Sequence, residues 1–277
     1  MEKIIFALSF VFLLFTSAPT VQPYRDTGEL ACVGATLSVA HPPGYPLYSI
    51  LGKFFNEAIL FGNPAYRTRI LTIFFSSAFC VLLFAILRKL KLSMLNAFLL
   101  CFVFLFSKVF WLLSIVCENY TQDLFFIALL FYIAIFMDDF PKKFFLFAFI
   151  WGVSLGMRPT SVLAIPSFAL IFLKKHKTSL KDFLKALFFF LLGASVFLFL
   201  PIRSLKNPVI DWADPQTINQ FFYSVMRKAY GSALDKVSEF YTIWETFFLQ
   251  IFIFFKELFF QYTPFIFVFA IAGFFKG

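Results

Sequence analysis

The sequence predicts an all-α polytopic membrane protein. Of its 277 residues, 61% are hydrophobic and 14% are charged. A soluble domain is typically about 45–50% apolar and about 25% charged. The apolar runs have the length of helices, whereas a transmembrane β-barrel would alternate apolar and polar residues over about ten positions. Residues 1–277 are therefore predicted to form a single transmembrane domain of about eight spans.

The first apolar segment, MEKIIFALSFVFLLFTSAP, has the charged start, short apolar core and small final residues of a signal peptide. We expect it to be retained as the first span, because the loop after it needs anchorage at both ends. Several of the further predicted spans have fewer than the about 20 residues that a straight transmembrane helix needs. Such short spans are expected where a helix ends inside a protein-lined cavity. These spans are 68–87, 93–106, 121–137, 143–157, 160–173, 183–200 and 262–275.

Compact basic runs predict which ends of the spans are cytoplasmic. RKLK (88–91), PKK (141–143) and KKHK (174–177) follow alternate groups of spans, as the positive-inside rule requires. The net charge of +9 is thereby explained without nucleic acid as a partner. Because the sequence stops directly after its last predicted span, we expect a chain truncated at its C-terminus. The segments predicted to face outward are 19–67, 107–120, 158–160 and 201–261.

The outward segments contain the polar residues that topology does not explain. In the first of them, Asp26 and Glu29 stand three residues apart, so a helix would place them on one face. They form either a capping box or a pair of functional carboxylates. HPPGYP, with His41, ends that helix, and LYSILGKFFNEAILFG (47–62) is predicted to follow as an amphipathic interfacial helix.

Two arginines lie directly beside apolar spans, where a charge is costly and usually paired or functional. Arg158 follows one predicted span and Arg203 follows another. Arginine binds phosphate through a bidentate fork, so a lipid phosphate near the outer surface would account for both positions.

Four blocks of the sequence resemble the family called domain of unknown function 2723, the transmembrane protein 260-like proteins. The resemblance covers about residues 20–275. It implies a GT-C-type membrane glycosyltransferase, similar to the protein O-mannosyltransferases, with an acidic motif that maps onto Asp26 and Glu29. Family members commonly carry other residues where this chain has ENY (118–120) and GMRPT (156–160), and they usually continue past the last span. The matching blocks are DTGEL…AHPPGYPLY…GNPAYR, ENYTQDLFF, and LPIRSLKNPVIDWADPQT.

The predicted function is transfer of a hexose such as mannose from a polyprenyl-phosphate donor to a protein or glycan hydroxyl. Asp26 is the predicted general base, with Glu29 beside it. Arg203 first and Arg158 second would stabilise the leaving phosphate, and a single base opposite a cation predicts inversion at the anomeric carbon. The active site would face the extracytoplasmic side of a bacterial inner or plasma membrane.

For four other candidate residues the sequence leaves two interpretations open. His41 either contacts the substrate or is a hydrogen-bonded structural residue, and Glu118 either orients the acceptor or is a solvated acid at a helix end. Tyr120 and Trp212 are either sugar-stacking platforms or interface anchors. No cofactor is required by the spacing, although a divalent metal among Asp26, Glu29 and Glu118 stays open. The alternative function is binding or transport of a lipid-linked sugar without catalysis.

Overall fold

The computed structural model of the protein describes residues 1–138, 142–175, 179–231 and 243–274. Within these ranges the regular structure is helical, apart from one parallel bridge between Val39 and Asp211, which confirms the predicted all-α class. Turns of 3₁₀-helix at Pro159–Ala164 and Ser195–Leu198 lead into the helices that follow them. The α-helices of the described residues are α1 (Glu2–Thr16), α2 (Thr27–Thr36), α3 (Pro46–Ala58), α4 (Pro64–Lys89), α5 (Met94–Leu105), α6 (Lys108–Ser114), α7 (Tyr120–Phe136), α8 (Lys142–Leu155), α9 (Ile165–Lys175), α10 (Leu180–Ala194), α11 (Phe199–Ser204), α12 (Ile218–Val225) and α13 (Ile243–Phe274).

The eight predicted apolar spans fall on α1, α4, α5, α7, α8, α9, α10 and α13, and residue 275 of the last span lies outside the described residues. Among the described residues, Pro64–Lys89 and Leu180–Ser204 are long and apolar enough to cross a membrane. Helices α5 and α6 bend by 70° at their junction and count as a third crossing if they form one broken span. A membrane protein is therefore supported, and the number of eight crossings stays a prediction.

Local sequence fixes where the long helices begin and end. Asn63 precedes α4, and its side chain accepts a hydrogen bond from the backbone N–H of Tyr66 at 3.0 Å, with Pro64 at the first helical position. Ser179 and Asp182 form a complete capping box at the start of α10. Arg88 and Lys89 occupy the last turn of α4, where a cation interacts favourably with the helix dipole.

Close glycine contacts hold two helix pairs together. A Cβ atom placed on Gly152 of α8 would lie 2.2 Å from the carbonyl oxygen of Phe190 on α10. A Cβ atom on Gly52 of α3 would lie 2.6 Å from the Cα atom of Gly34 on α2. Helices α2 and α3 therefore touch backbone to backbone, which fixes the short segment between them relative to both.

The described loops that the sequence predicts to face outward meet at one end of the helices. The backbone N–H of Leu47, at the start of α3, donates to the carbonyl of Gly156, just after α8, at 3.0 Å. The backbone N–H of Asp26 reaches the segment before α7. At the opposite end of the helices, α4 ends in basic residues and α8 begins with basic residues. Polar loops and basic helix ends thus lie at opposite ends of the helices.

Candidate functional site

Helix α2 presents the acidic residues, but it does so without the predicted capping box. Asp26 is the residue before the helix, yet its side chain makes no capping hydrogen bond. Glu29 does not return to the backbone of Asp26, because both of its oxygens are engaged with His41. The capping interpretation is therefore wrong, and the two carboxylates are free of the helix backbone.

Glu29, His41 and Asp26 form a compact cluster. Glu29 Oε1 accepts the backbone N–H of His41 at 2.7 Å, and Glu29 Oε2 lies 2.9 Å from His41 Nδ1. On the other side of the ring, His41 Nε2 is 3.8 Å from Asp26 Oδ2. The side chain of Asp26 is 52% exposed, whereas those of Glu29 and His41 are 20% and 12% exposed. The cluster is thus closed behind Glu29 and open at Asp26.

Glu118 joins this cluster from a distant part of the chain. Its Oε1 accepts the backbone N–H of Asp26 at 3.1 Å, and its own carbonyl accepts the hydroxyl of Thr72 at 3.2 Å. Only 1% of Glu118 is exposed. Burial, followed by the negative charge of Asp26, raises the pKa of Glu118 to about 7. Glu118 is therefore a buried acid that titrates near neutral pH, and the reading of a solvated acid at a helix end is wrong.

Two cations lie close to Glu118 and contact the two residues that follow it. The guanidinium of Arg158 lies 4.0 Å from the centre of the Tyr120 ring, and its Nη1 donates to Asn119 Oδ1 at 2.8 Å. Arg25 Nη1 donates to the Tyr120 hydroxyl at 2.9 Å. The ion pairs found among the described residues do not include Arg25 or Arg158. Two guanidinium groups therefore converge on Tyr120 next to the acids.

Arg203 lies at the other end of α2. Its Nε donates to the carbonyl of Leu37 at 2.6 Å and its Nη2 to that of Thr36 at 3.3 Å, so it satisfies carbonyls at the C-terminus of the helix. Asp26 is at the N-terminus of the same ten-residue helix, which is about 15 Å long at about 1.5 Å per residue. The structure therefore brings Arg158, and not Arg203, to the acids.

The last of the matching sequence blocks lies at this same end of α2. Asp211 pairs with Val39 in the parallel bridge, and Ser204 Oγ lies 2.7 Å from Asp211 Oδ2 and 3.0 Å from Asp214 Oδ1. Burial raises the pKa of Asp211. Trp212, which follows it, is 49% exposed. No contact found among the described residues joins Trp212 to Asp26, Glu29 or His41.

Two residues of the site escaped the sequence analysis. Arg25, which directly precedes Asp26, was not among the candidate residues. Tyr230 is the other, because burial raises its pKa, Arg227 lowers it, and the charges of Glu29 and Asp26 raise it. The adjacency of Arg25 to Asp26 was a usable signal, whereas about two hundred residues separate Tyr230 from α2.

The cluster offers donor atoms that suit a divalent cation. One ligand atom from each of Asp26, Glu29 and His41 can be chosen so that all lie within 4.8 Å of one another. The three candidate ligands are thus Asp26, Glu29 and His41, whereas the sequence suggested Asp26, Glu29 and Glu118. Both Glu29 oxygens are already engaged with His41, so a metal bound by Glu29 would share them with that residue, and a metal here stays a prediction.

The apolar helices and the acid–histidine cluster at one end define a membrane protein with a polar, enzyme-like site. The family model described as the protein O-mannosyl-transferase TMEM260 N-terminal domain matches residues 26–181, which is more than half of the chain. The chain belongs to this family, which confirms the resemblance found in the sequence. The matched range contains Asp26, His41, Glu118 and Arg158 but not Arg203.

Two curated relatives carry the same family name. The chain is 31% identical over 234 residues to the protein O-mannosyl-transferase TMEM260 of Mus musculus, an alignment covering 80% of this chain and 33% of the mouse protein. It is 26% identical over 239 residues to the protein O-mannosyl-transferase tmem260 of Dictyostelium discoideum, covering 78% of this chain and 29% of that protein. The chain thus spans about a third of the length of these relatives. No solved structure matches it.

Proposed function

We propose that the chain is a GT-C-type glycosyltransferase that moves mannose from a polyprenyl-phosphate donor to a hydroxyl group of a protein or glycan acceptor. The relatives' names supply the sugar and the type of reaction. The observation that carries the proposal is the convergence of two groups of opposite charge. Asp26, Glu29 and His41 are joined through Glu118 to the adjacent residues Asn119 and Tyr120, which hydrogen-bond to Arg158 and Arg25.

This separation of charge matches the two ends of a glycosyl transfer. The acceptor hydroxyl must lose a proton as it attacks the anomeric carbon, and the Asp26–His41 edge of the cluster supplies the groups to receive it. Asp26 is its exposed carboxylate, since Glu29 is engaged with His41 on both oxygens.

The donor phosphate leaves with the bonding electron pair and needs a cation more than a proton. Arg158 and Arg25 are the cations beside the acids, so we assign the phosphate to them. We assign Arg203, the first choice from sequence, to holding the end of α2. A base on one side of the sugar and cations on the other give a single displacement, and hence inversion.

We place the active site on the extracytoplasmic face of a bacterial inner or plasma membrane. The acids lie at the end of the helices opposite to Arg88 and Lys89, and cytoplasmic ends of spans are enriched in Lys and Arg. A donor anchored in the bilayer by its isoprenoid chain would then meet Arg158 near the headgroups. The bacterial source rests on the sequence-based expectation alone, since the two relatives named above come from mouse and Dictyostelium.

The proposal is tested by measuring mannose transfer from a radiolabelled polyprenyl-phosphate mannose to a Ser/Thr peptide or a glycan in proteoliposomes. Asp26→Asn should lower kcat at least about 10²-fold, and Arg158→Lys should lower kcat/KM by about 10²–10³-fold. Glu57→Gln is the matched control, because Glu57 is exposed on α3 and pairs with Lys53 outside the cluster.

Transfer that survives both substitutions unchanged would reject the enzyme. Donor binding that persists in Asp26→Asn, with no transfer by the wild type to either acceptor, would instead favour the alternative of a non-catalytic protein for lipid-linked sugars.

A further inference from the structure

Glu29 holds the backbone and the ring of His41 at the same time. Its Oε1 accepts the His41 backbone N–H at 2.7 Å and its Oε2 lies 2.9 Å from Nδ1. An ionised carboxylate can only accept hydrogen bonds, so the proton of this contact belongs to Nδ1. In the neutral form of the ring, the lone pair is then on Nε2.

The free nitrogen faces the open side of the cluster. Nε2 is 3.8 Å from Asp26 Oδ2, a distance too long for a hydrogen bond, and the hydrogen bonds found among the described residues give Nε2 no other partner. Asp26 is half exposed, so a group from outside can reach this gap. A hydroxyl placed beside the gap would be within reach of Nε2 and of the carboxylate together.

The imidazole is also held rigidly. Its ring meets the Tyr45 ring edge to face, with 5.1 Å between the centroids, and Tyr45 is 3% exposed. The segment that carries His41 lies between α2 and α3, whose backbones touch at Gly34 and Gly52. A base held in one orientation avoids the reorganisation that a flexible side chain would need.

We propose that His41 is the proton acceptor of the transfer reaction and that Glu29 is the positioning residue that fixes its tautomer. The inference rests on the proposed function. As the acceptor oxygen bonds to the anomeric carbon, the bond from that carbon to the phosphate oxygen breaks and its electron pair leaves with the phosphate. The hydroxyl proton passes to Nε2, and solvent removes it after the products leave.

The surrounding charges favour this assignment over a carboxylate base. The imidazolium formed would lie between Glu29 at Nδ1 and Asp26 at Nε2, with Glu118 behind Asp26.

The tautomer can be measured directly, because the chain contains two histidines, His41 and His176. In protein labelled with ¹⁵N-histidine, the His41 signal, assigned with a His176→Gln variant, should show a protonated Nδ1 and a bare Nε2. Glu29→Gln should reverse this. Its amide oxygen is needed for the His41 backbone N–H, so its NH₂ group faces Nδ1 and moves the ring proton to Nε2. Glu57→Gln should leave the signal unchanged.

Kinetics test the role itself. Glu29→Gln should lower kcat by about 10²–10⁴-fold while the KM for the donor changes less than about threefold. His41→Ala should lose a similar factor, and added imidazole should restore kcat at least about tenfold, which a purely structural histidine would not allow. Thermal unfolding of each variant against Glu57→Gln separates loss of chemistry from loss of fold.

The outcomes divide cleanly between the two proposals. Wild type without transfer to any acceptor defeats the proposed function, whatever the tautomer. If the wild type is active, each of three results would defeat the role of His41. They are full transfer by Glu29→Gln, a wild-type ring protonated on Nε2, and a folded His41→Ala variant that imidazole does not rescue. A His41 signal that broadens with Mn²⁺ and recovers with a chelator also defeats it, because a cation would then occupy the gap.

Discussion

Replacing Glu118 by glutamine should change how the stability of the protein depends on pH. Burial and the nearby charge of Asp26 raise the pKa of Glu118 from its ordinary 4.5 to about 7, and the residue is 1% exposed. A raised pKa means that the folded protein favours the protonated acid. This stabilisation is complete below about pH 4.5 and is lost as the pH rises through 7.

The size of the effect follows from the two pKa values. At about 1.36 kcal/mol per pH unit, the wild type should lose about 2.5 kcal/mol more than the glutamine variant between pH 5 and pH 8. At about 2 °C per kcal/mol, the melting temperature of the wild type should fall about 5 °C further over that interval. Glutamine retains an oxygen for the Asp26 backbone N–H, so the hydrogen bond itself is preserved.

The assay is thermal unfolding of detergent-solubilised protein, followed by intrinsic fluorescence at pH 5, 6, 7 and 8. Glu57→Gln serves as the control, because its carboxylate is exposed and should leave the pH profile of the wild type unaltered. Parallel profiles for wild type and Glu118→Gln would refute the assignment of Glu118 as a buried acid beside Asp26.

Four further substitutions probe other contacts of the structure. Gly34→Ala should destabilise the protein by about 1–3 kcal/mol, since its Cβ would lie 2.8 Å from a side chain of α4, whereas Gly28→Ala, with open space around it, should be neutral or stabilising in thermal unfolding. Tyr120→Phe removes the acceptor for Arg25 and should raise the donor KM about three- to tenfold in transfer assays. Arg203→Ala should lower the melting temperature while transfer per folded molecule stays within about threefold, and a selective collapse of transfer would show that its assignment to the end of α2 is wrong.

The sequence was sufficient for the fold class because hydrophobicity determines it. Eight apolar stretches of helical length leave few other structures for a chain in a bilayer. The helix after HPPGYP was also predictable, since proline and glycine act locally, whereas α2 already ends at Thr36, before HPPGYP, with Leu37 in the left-handed conformation. The number of membrane crossings could not be predicted, because the apolar helices Tyr120–Phe136 and Pro159–Phe172 are short and their burial depends on neighbouring helices.

The partners within the site depended on tertiary contacts that no local pattern encodes. The i and i+3 spacing of Asp26 and Glu29 fits a capping box as well as a functional pair of carboxylates. The contacts of His41 with both oxygens of Glu29 decide between the two. Arg158 and Arg203 both lie beside apolar spans, and the sequence favoured Arg203 for the phosphate. The fold places Arg158 over the Tyr120 ring. It places Arg203 on the carbonyls of Thr36 and Leu37, at the other end of α2 from Asp26.

The most direct test of the account is a double-mutant cycle on kcat/KM for mannose transfer, built from Asp26→Asn, Arg158→Lys and the double variant. If the two side chains act on one reacting sugar, their losses should be strongly non-additive, with the double variant losing at least about tenfold less than the product of the single losses. Losses that simply multiply, or single variants that transfer mannose like the wild type, would contradict a shared site.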